Sequence, residues 1–452
     1  MLGTGPVFAD NLDFYGTANG SVATTDNATG AEQGRPHQGD IFSDVRPGFL
    51  ITYNAPRMIH ELNSEVDFLY HVLTTQPNVT FRGGWKAYFL PSPLTELTVN
   101  ADASMGQLNA LSASISPSED PTQVLPPGRV DVKNITGGQN FAWVLSEGTR
   151  TWERSFGRYA TTLDEVPMME NVSTESSEVG GSLGIEHTFK HDNFMLEGGL
   201  SFVHMLKLDP AGRQMGSRLD QQWNPRAVVV WQHDINKQWS TNLDAGGVYV
   251  IPVGTDPYNP DQKRTSAPYP IFGLTTAYTD VWGRAQLAVR RQVTPNLFIA
   301  QNTVGDSINL TGVMPLELLD KDSQKQHPKV IGIGTIGFER TQLVDPISGS
   351  LKGQFEVARI DLGVGWSPRP GQTLGLRYEL TYQTGDDVAE MVVPAFLRNT
   401  FYFTFALRYP EDLRVRVPRR GQSVRADKKD LSPVGAEPVI VDPQEFLDGG
   451  DR

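Results

Sequence analysis

Ala395-Phe396-Leu397-Arg398-Asn399-Thr400-Phe401-Tyr402-Phe403-Thr404-Phe405-Ala406-Leu407-Arg408-Tyr409-Pro410 is the stretch on which the fold turns. From Phe401 on, the large apolar residues Phe401, Phe403, Phe405, Leu407 and Tyr409 alternate with Tyr402, Thr404, Ala406 and Arg408. A period of two belongs to a β-strand, whose successive side chains point to opposite faces. An apolar face made almost wholly of aromatic residues, backed by a polar face, is what a strand shows when lipid lies on one side and water on the other. The stretch therefore predicts a closing strand whose lipid face is Phe401, Phe403, Phe405, Leu407 and Tyr409.

The same alternation runs through most of the chain. Asn11 to Thr24 reads as a first strand, followed by a polar loop over Thr25 to Gly39. Ile41, Ser43, Val45, Pro47, Phe49, Ile51 and Tyr53 then form one face, and a turn at Asn54-Ala55-Pro56-Arg57 returns the chain through Leu62, Val66, Phe68 and Tyr70. Two complementary strands on so tight a turn predict a hairpin. Further hairpins are predicted around Pro91-Ser92-Pro93, Lys190 to Asn193, His233 to Asn236 and Ser367 to Gly371. Longer polar stretches separate them: Ser116–Gly137, Thr161–Ser177, Leu208–Gln222, Gly254–Ala267 and Gly385–Val393. Short turns on one rim and long loops on the other predict an all-β, antiparallel, up-and-down transmembrane barrel of about 18 strands, with about 16 as the neighbouring even number. Residues 104–160 and 268–320 contain strand-like pieces without a clean register.

Composition agrees. Hydrophobic residues make up 38% of the 452-residue chain and mean hydropathy is -0.33, while apolar runs are no longer than stretches such as Ala227-Val228-Val229-Val230-Trp231. A transmembrane helix needs about 18 consecutive apolar residues, whereas a barrel strand needs them only at alternate positions. The 44 Gly and 31 Pro fit many turns. The absence of cysteine excludes disulfides, thiolate metal sites and a lipidated N-terminal Cys. A net charge of -13 argues against a nucleic-acid partner.

Val7 and Ala9 sit where a signal peptidase would find its small residues. Residues 1–9 are therefore read as a signal-peptide remnant or a disordered terminus, and residues 10–410 as the barrel. Residues 411–452 lose the alternation, carrying first Arg414, Arg416, Arg419, Arg420, Arg425, Lys428 and Lys429, then Asp430, Glu437, Asp442, Glu445, Asp448 and Asp451. They predict a polar, disordered tail on the periplasmic side.

No catalytic constellation is present: there is no Gly-x-Ser-x-Gly elbow, His-Glu-x-x-His pair or phosphate loop. His187 and His191 are four apart, a spacing that makes no metal pair on a strand and turn. The expectation is a protein without enzymatic activity, metal or cofactor. What remains is the polar face. If the aromatic faces meet lipid, then Arg46, Glu61, Glu65, Asp67, Arg82, Lys86, Asp244, Arg284, Arg290, Arg359, Asp361, Arg377, Glu379, Arg398 and Arg408 face the lumen, with Tyr88 and Tyr402 among them. Such residues either line a water-filled pathway or pair across the wall and hold it. Trp85, Trp231, Trp239 and Trp366 lie on the presumed lipid face, as an interfacial girdle would.

The run Asp40-Ile41-Phe42-Ser43-Asp44-Val45-Arg46-Pro47-Gly48, the Pro-Arg turn and Thr95-Glu96-Leu97-Thr98-Val99 resemble the large outer-membrane barrels of exopolysaccharide systems. These are barrels of the Wzp type, similar to the porin module of PgaA. The resemblance implies a conduit for secreted polysaccharide in the bacterial outer membrane, working with a periplasmic polysaccharide-export protein and surrounded by outer-membrane lipid and lipopolysaccharide. Two other readings fit the residues: a general or solute-selective porin, and a structural barrel anchoring a cell-envelope complex.

Overall fold

The protein is described from a computed structural model, which covers residues 12–28, 39–73, 76–109, 129–162, 173–208, 218–254, 263–280, 283–296, 301–316, 330–345, 347–369, 371–386 and 395–409. The expected signal-peptide remnant and C-terminal tail lie outside these residues.

The strands are β1 (Leu12–Thr25), β2 (Asp40–Ala55), β3 (Met58–His71), β4 (Gln76–Ser92), β5 (Thr95–Asn109) and β6 (Arg129–Ser146). They continue as β7 (Thr149–Thr162), β8 (Ser173–Thr188), β9 (Asp192–Leu208), β10 (Arg218–Asp234), β11 (Trp239–Val253) and β12 (Ala267–Asp280). The circle is completed by β13 (Gly283–Asn296), β14 (Gln301–Pro315), β15 (Val330–Val344), β16 (Leu351–Arg369), β17 (Gln372–Gly385) and β18 (Phe396–Tyr409). Each strand pairs antiparallel with its neighbours in sequence, and β1 pairs with β18, so the 18-stranded sheet has no free edge. A closed sheet satisfies its backbone groups internally, which is what allows it to stand in lipid.

Closure is fixed by a small clasp. Asn399 donates from its backbone N–H and its Nδ2 to the Asp26 carboxylate at 2.8 and 2.6 Å, and the Asp26 N–H donates to the Asn399 carbonyl at 3.2 Å.

Burial follows the alternation read from sequence. Phe401, Phe403, Leu407 and Tyr409 are 57, 47, 45 and 78% exposed on the outer face, while Tyr402 between them is buried. Across the register, Phe403 stands beside Val22 on one side and Leu376 on the other, both exposed. The same belt continues through Phe14, Phe68, Phe81, Leu183, Leu196, Trp223, Leu243, Ile308 and Leu362. An apolar belt that a water-soluble protein would bury faces outward around the whole ring, so the barrel is an integral outer-membrane protein.

Two expectations from the sequence need correction. Ser116–Gly137 is not a loop throughout, because β6 begins at Arg129, and the stretches up to Ser177 and Gln222 likewise end in β8 and β10. The regions 104–160 and 268–320 are regular, holding β6 and β7, and β12 to β14. The two rims are unequal as expected, with three exceptions: connections 72–75 and 297–300 are short on the long-loop rim, and connection 316–329 is long on the short-turn rim.

Candidate functional site: the lumen wall

Inward residues alternate with the outward belt on every strand. This places Arg46, Glu61, Glu65, Asp67, Arg82, Lys86, Tyr88, Asp244, Arg284, Arg290, Arg359, Asp361, Arg377, Glu379, Arg398, Tyr402 and Arg408 on the concave face. Registry brings some of them together. Arg377 donates from Nε to both Asp361 oxygens at 2.8 and 2.7 Å and from Nη2 to Glu379 at 3.2 Å. Arg398 lies 3.6 Å from the other Glu379 oxygen, and the Tyr402 hydroxyl donates to Glu379 at 3.4 Å. Arg82 lies 3.8 Å from Glu65 and 4.0 Å from Asp67.

Burial then separates these residues. Arg398 is 1% exposed and Glu379 3%, and Tyr402 packs with Phe42, Leu69 and Ala23. Those three are wall structure rather than contact surface, and Tyr402 offers no open ring face for a sugar. In contrast, Arg284, Arg290 and Arg359 are half-buried and make no ion pair within 4.0 Å among the described residues, Arg290 facing the Asp244 carboxylate across Gly273. They sit on β13 and β16. The acidic residues Asp44, Glu61, Glu65, Asp67 and Asp102 gather on β2 to β5. In a ring of 18 strands, β3–β4 stands opposite β12–β13, so the carboxylates of β2 to β5, with Arg46, Arg82 and Lys86 among them, face Arg284 and Arg290.

Sequence reading missed a second set on β7 to β10. Arg150 donates to Glu186 at 2.6 Å, Arg158 pairs with Glu178 at 2.5 Å, and Arg226 pairs with Glu197. Arg154 lies 4.3 Å over the Trp152 ring, which in turn covers Gly184, where a Cβ would run into the indole. Arg150, Arg154 and Arg158 are even-spaced on one strand, and that spacing was the available signal.

No cluster of three or more His, Asp or Glu arranged for a metal occurs among the described residues. No helix is long and apolar enough to cross a membrane, which says nothing about a barrel.

No protein-family model matches the chain, and no curated protein matches it. Solved structures do. Pseudomonas aeruginosa OccK2 (OpdF) in complex with glucuronate is 10% identical with a TM-score of 0.44, covering 89% of this chain and 99% of that one. Pseudomonas aeruginosa OpdK with vanillate is 9% identical at 0.44, covering 88% and 99%. Acinetobacter baumannii OccAB3 is 8% identical at 0.44, covering 89% and 100%. With such scores none of the three identifies a family or substrate for this chain. The resemblance to exopolysaccharide-export barrels rests on the Asp40–Val99 run.

Proposed function

We propose that the protein is a passive, solute-selective porin for small charged solutes, acting without catalysis or cofactor. The observation that carries this reading is the state of the inward aromatic residues. Tyr15, Phe42, Trp152, Tyr269, Phe355, Phe396 and Tyr402 are buried at 5% exposure or less, while Tyr88 and Phe156 are half-buried. A polysaccharide conduit is expected to present a run of open ring faces on which sugars stack; here most inward rings are packed into the wall. What the wall offers instead is charge, with Arg284 and Arg290 on β13 across from the carboxylates of β2 to β5 and Arg359 on β16. Rings of fixed charge select by sign and size. This supports the porin alternative over polysaccharide export.

Reconstitution tests it. Proteoliposomes are expected to swell in small organic anions and not in long oligosaccharides. Absence of swelling in any small solute would overturn the reading. In planar bilayers under a salt gradient, the double variant Arg290→Glu/Arg359→Glu is expected to move the reversal potential toward cation preference. An unchanged potential would remove the arginine side as the selecting element.

A further inference from the structure

The wall does not keep one radius along its length. Asn302 at the start of β14 donates from Nδ2 to the Gln222 side chain on β10 at 2.6 Å, and both residues are buried. Neighbouring strands lie about 4.8 Å apart, so β14 and β10 are separated by roughly 19 Å along the wall. Side chains that far apart meet only if the end of β14 has left the cylinder and crossed the lumen side of β11 and β12. The apolar contacts agree. Val304 alternates with the outward side of β14, yet it is 0% exposed and packs with Val250 and Tyr269 from the inner face of β11 and β12, and with Val344. The β15–β16 turn arrives at the same place. The Tyr269 hydroxyl donates to the Gly349 carbonyl at 2.6 Å, and the Thr265 N–H donates to the Ile347 carbonyl at 2.8 Å. On the wall side of this contact, Arg264, just before β12, pairs with Asp220 on β10 at 2.5 Å, their side chains 3 and 7% exposed.

The sequence provides for this departure. The β12–β13 ladder runs from Asp280↔Gly283 and stops at Phe272↔Arg291, although both strands continue toward the long-loop rim. Pro268 and Pro270 lie two apart at this end of β12 and strip N–H donors from one edge of it, and proline in a sheet belongs at such edges. The β4–β5 ladder also stops short, at Thr80↔Gly106. Only the β12–β13 break is accompanied by an inward fold among the described residues. Where the lip begins, the outer face turns from apolar to charged: Asp306 accepts from Arg291 Nη1 at 3.0 Å and from Arg340 Nη2 at 2.6 Å.

Resting on the porin reading, we infer that this lip, formed by the rim ends of β13 and β14 with the β15–β16 turn, is a movable constriction of the solute path. It is latched to the β10–β12 wall by Asn302–Gln222, Tyr269–Gly349 and Thr265–Ile347, and it hinges where the β12–β13 ladder ends. Opening it breaks side-chain contacts and a few isolated hydrogen bonds, whereas parting the wall elsewhere breaks a run of ladder bonds.

The chain has no cysteine, so a Gln222→Cys/Asn302→Cys variant carries only the introduced thiols. Full-length protein in planar bilayers, tethered through them by a short bis-methanethiosulfonate reagent, is expected to hold a reduced conductance without steps. Reduction of the tether should restore the larger conductance and its fluctuations. Tyr269→Phe, which removes the hydroxyl bonded to Gly349, should lengthen the time in the larger state several-fold while leaving its conductance unchanged. A tethered pore indistinguishable from the untethered one would overturn the lip while leaving the porin intact. No conductance in any form, from barrels whose heat-modifiable gel mobility shows them folded, would overturn both.

Discussion

The β7–β10 wall and the β12–β16 wall are built from the same alternating strands and meet the lumen in opposite ways. On β7 to β10, Arg150, Arg158 and Arg226 each have a carboxylate on the neighbouring strand, and the ladders run the length of the strands. On β12 to β16 the ladder breaks, the inward arginines Arg284, Arg290 and Arg359 stand without ion pairs among the described residues, and the rim ends fold inward. The contrast teaches that charge in this lumen has two separate uses. Where arginines are neutralised strand by strand, they set the wall; where they are left open, something other than the ladder must position the chain.

The sharpest way to break the comparison is Glu197→Ala. Glu197 is 1% exposed beside Arg226, and removing one partner of a buried pair costs about 3–5 kcal/mol. Denaturant unfolding in lipid, followed by loss of the fast-migrating folded band on gels, should show a drop of that order. A near-zero change would mean that the closed sector does not depend on its ion pairs. Asn302→Ala removes a buried hydrogen bond that holds the lip, and the expected cost to global unfolding is smaller, about 1 kcal/mol, because the lip opens locally before the barrel does. An equal loss for both variants would erase the distinction between the sectors.

Asp306→Asn comes next. It leaves Arg291 and Arg340 unneutralised at the edge of the apolar belt, where an exposed charge costs roughly 0–1 kcal/mol rather than the larger midplane value. Unfolding measurements should place it below both earlier variants. A loss near that of Glu197→Ala would put these charges deep in the membrane instead.

The smallest effect concerns pH. Burial acts to raise the Asp345 carboxyl, but Lys352 and the N–H groups of Ile347 and Ser348 outweigh it and hold it below its ordinary value of 3.8. A lowered folded value means that its contribution is present above the unfolded pKa and is lost as pH falls through the folded one. Gating noise is therefore expected to be indifferent to Asp345 from neutral pH down to about 4 and to rise only below it. A wild-type transition at higher pH that disappears in Asp345→Asn would contradict this.

Much of the architecture was legible because lipid enforces a strict alternation: β18, the β2–β3 hairpin and the outward tryptophans Trp231, Trp239 and Trp366 follow it directly. The regions that resisted did so for physical reasons. On β6 and β7 the outward side holds Gly137, Gln139, Ser155, Gly157 and an exposed Glu153, while Trp152 and Phe156 point inward among Arg150, Arg154 and Arg158, so neither face of β7 is uniformly apolar. On β13 and β14 the outward side is interrupted by Arg291 and Asp306. The lumen face of Arg290 and Arg359 could be read from parity. Parity says which face a side chain takes but not which wall that face will touch, and so it gave no sign of Val304 packing against Val250.

The Asp26–Asn399 clasp bears on how such a barrel is assembled. Every other strand pair joins neighbours in the chain, but β1 and β18 meet across 373 residues. Their union is the step that carries the longest loop-closure cost and gains from it last. A slip of one residue there would turn Phe401, Phe403 and Phe405 toward water. A bidentate contact at the rim end of the closing pair therefore acts as a registration mark, letting the final hairpin find its alignment before the aromatic face is committed to lipid.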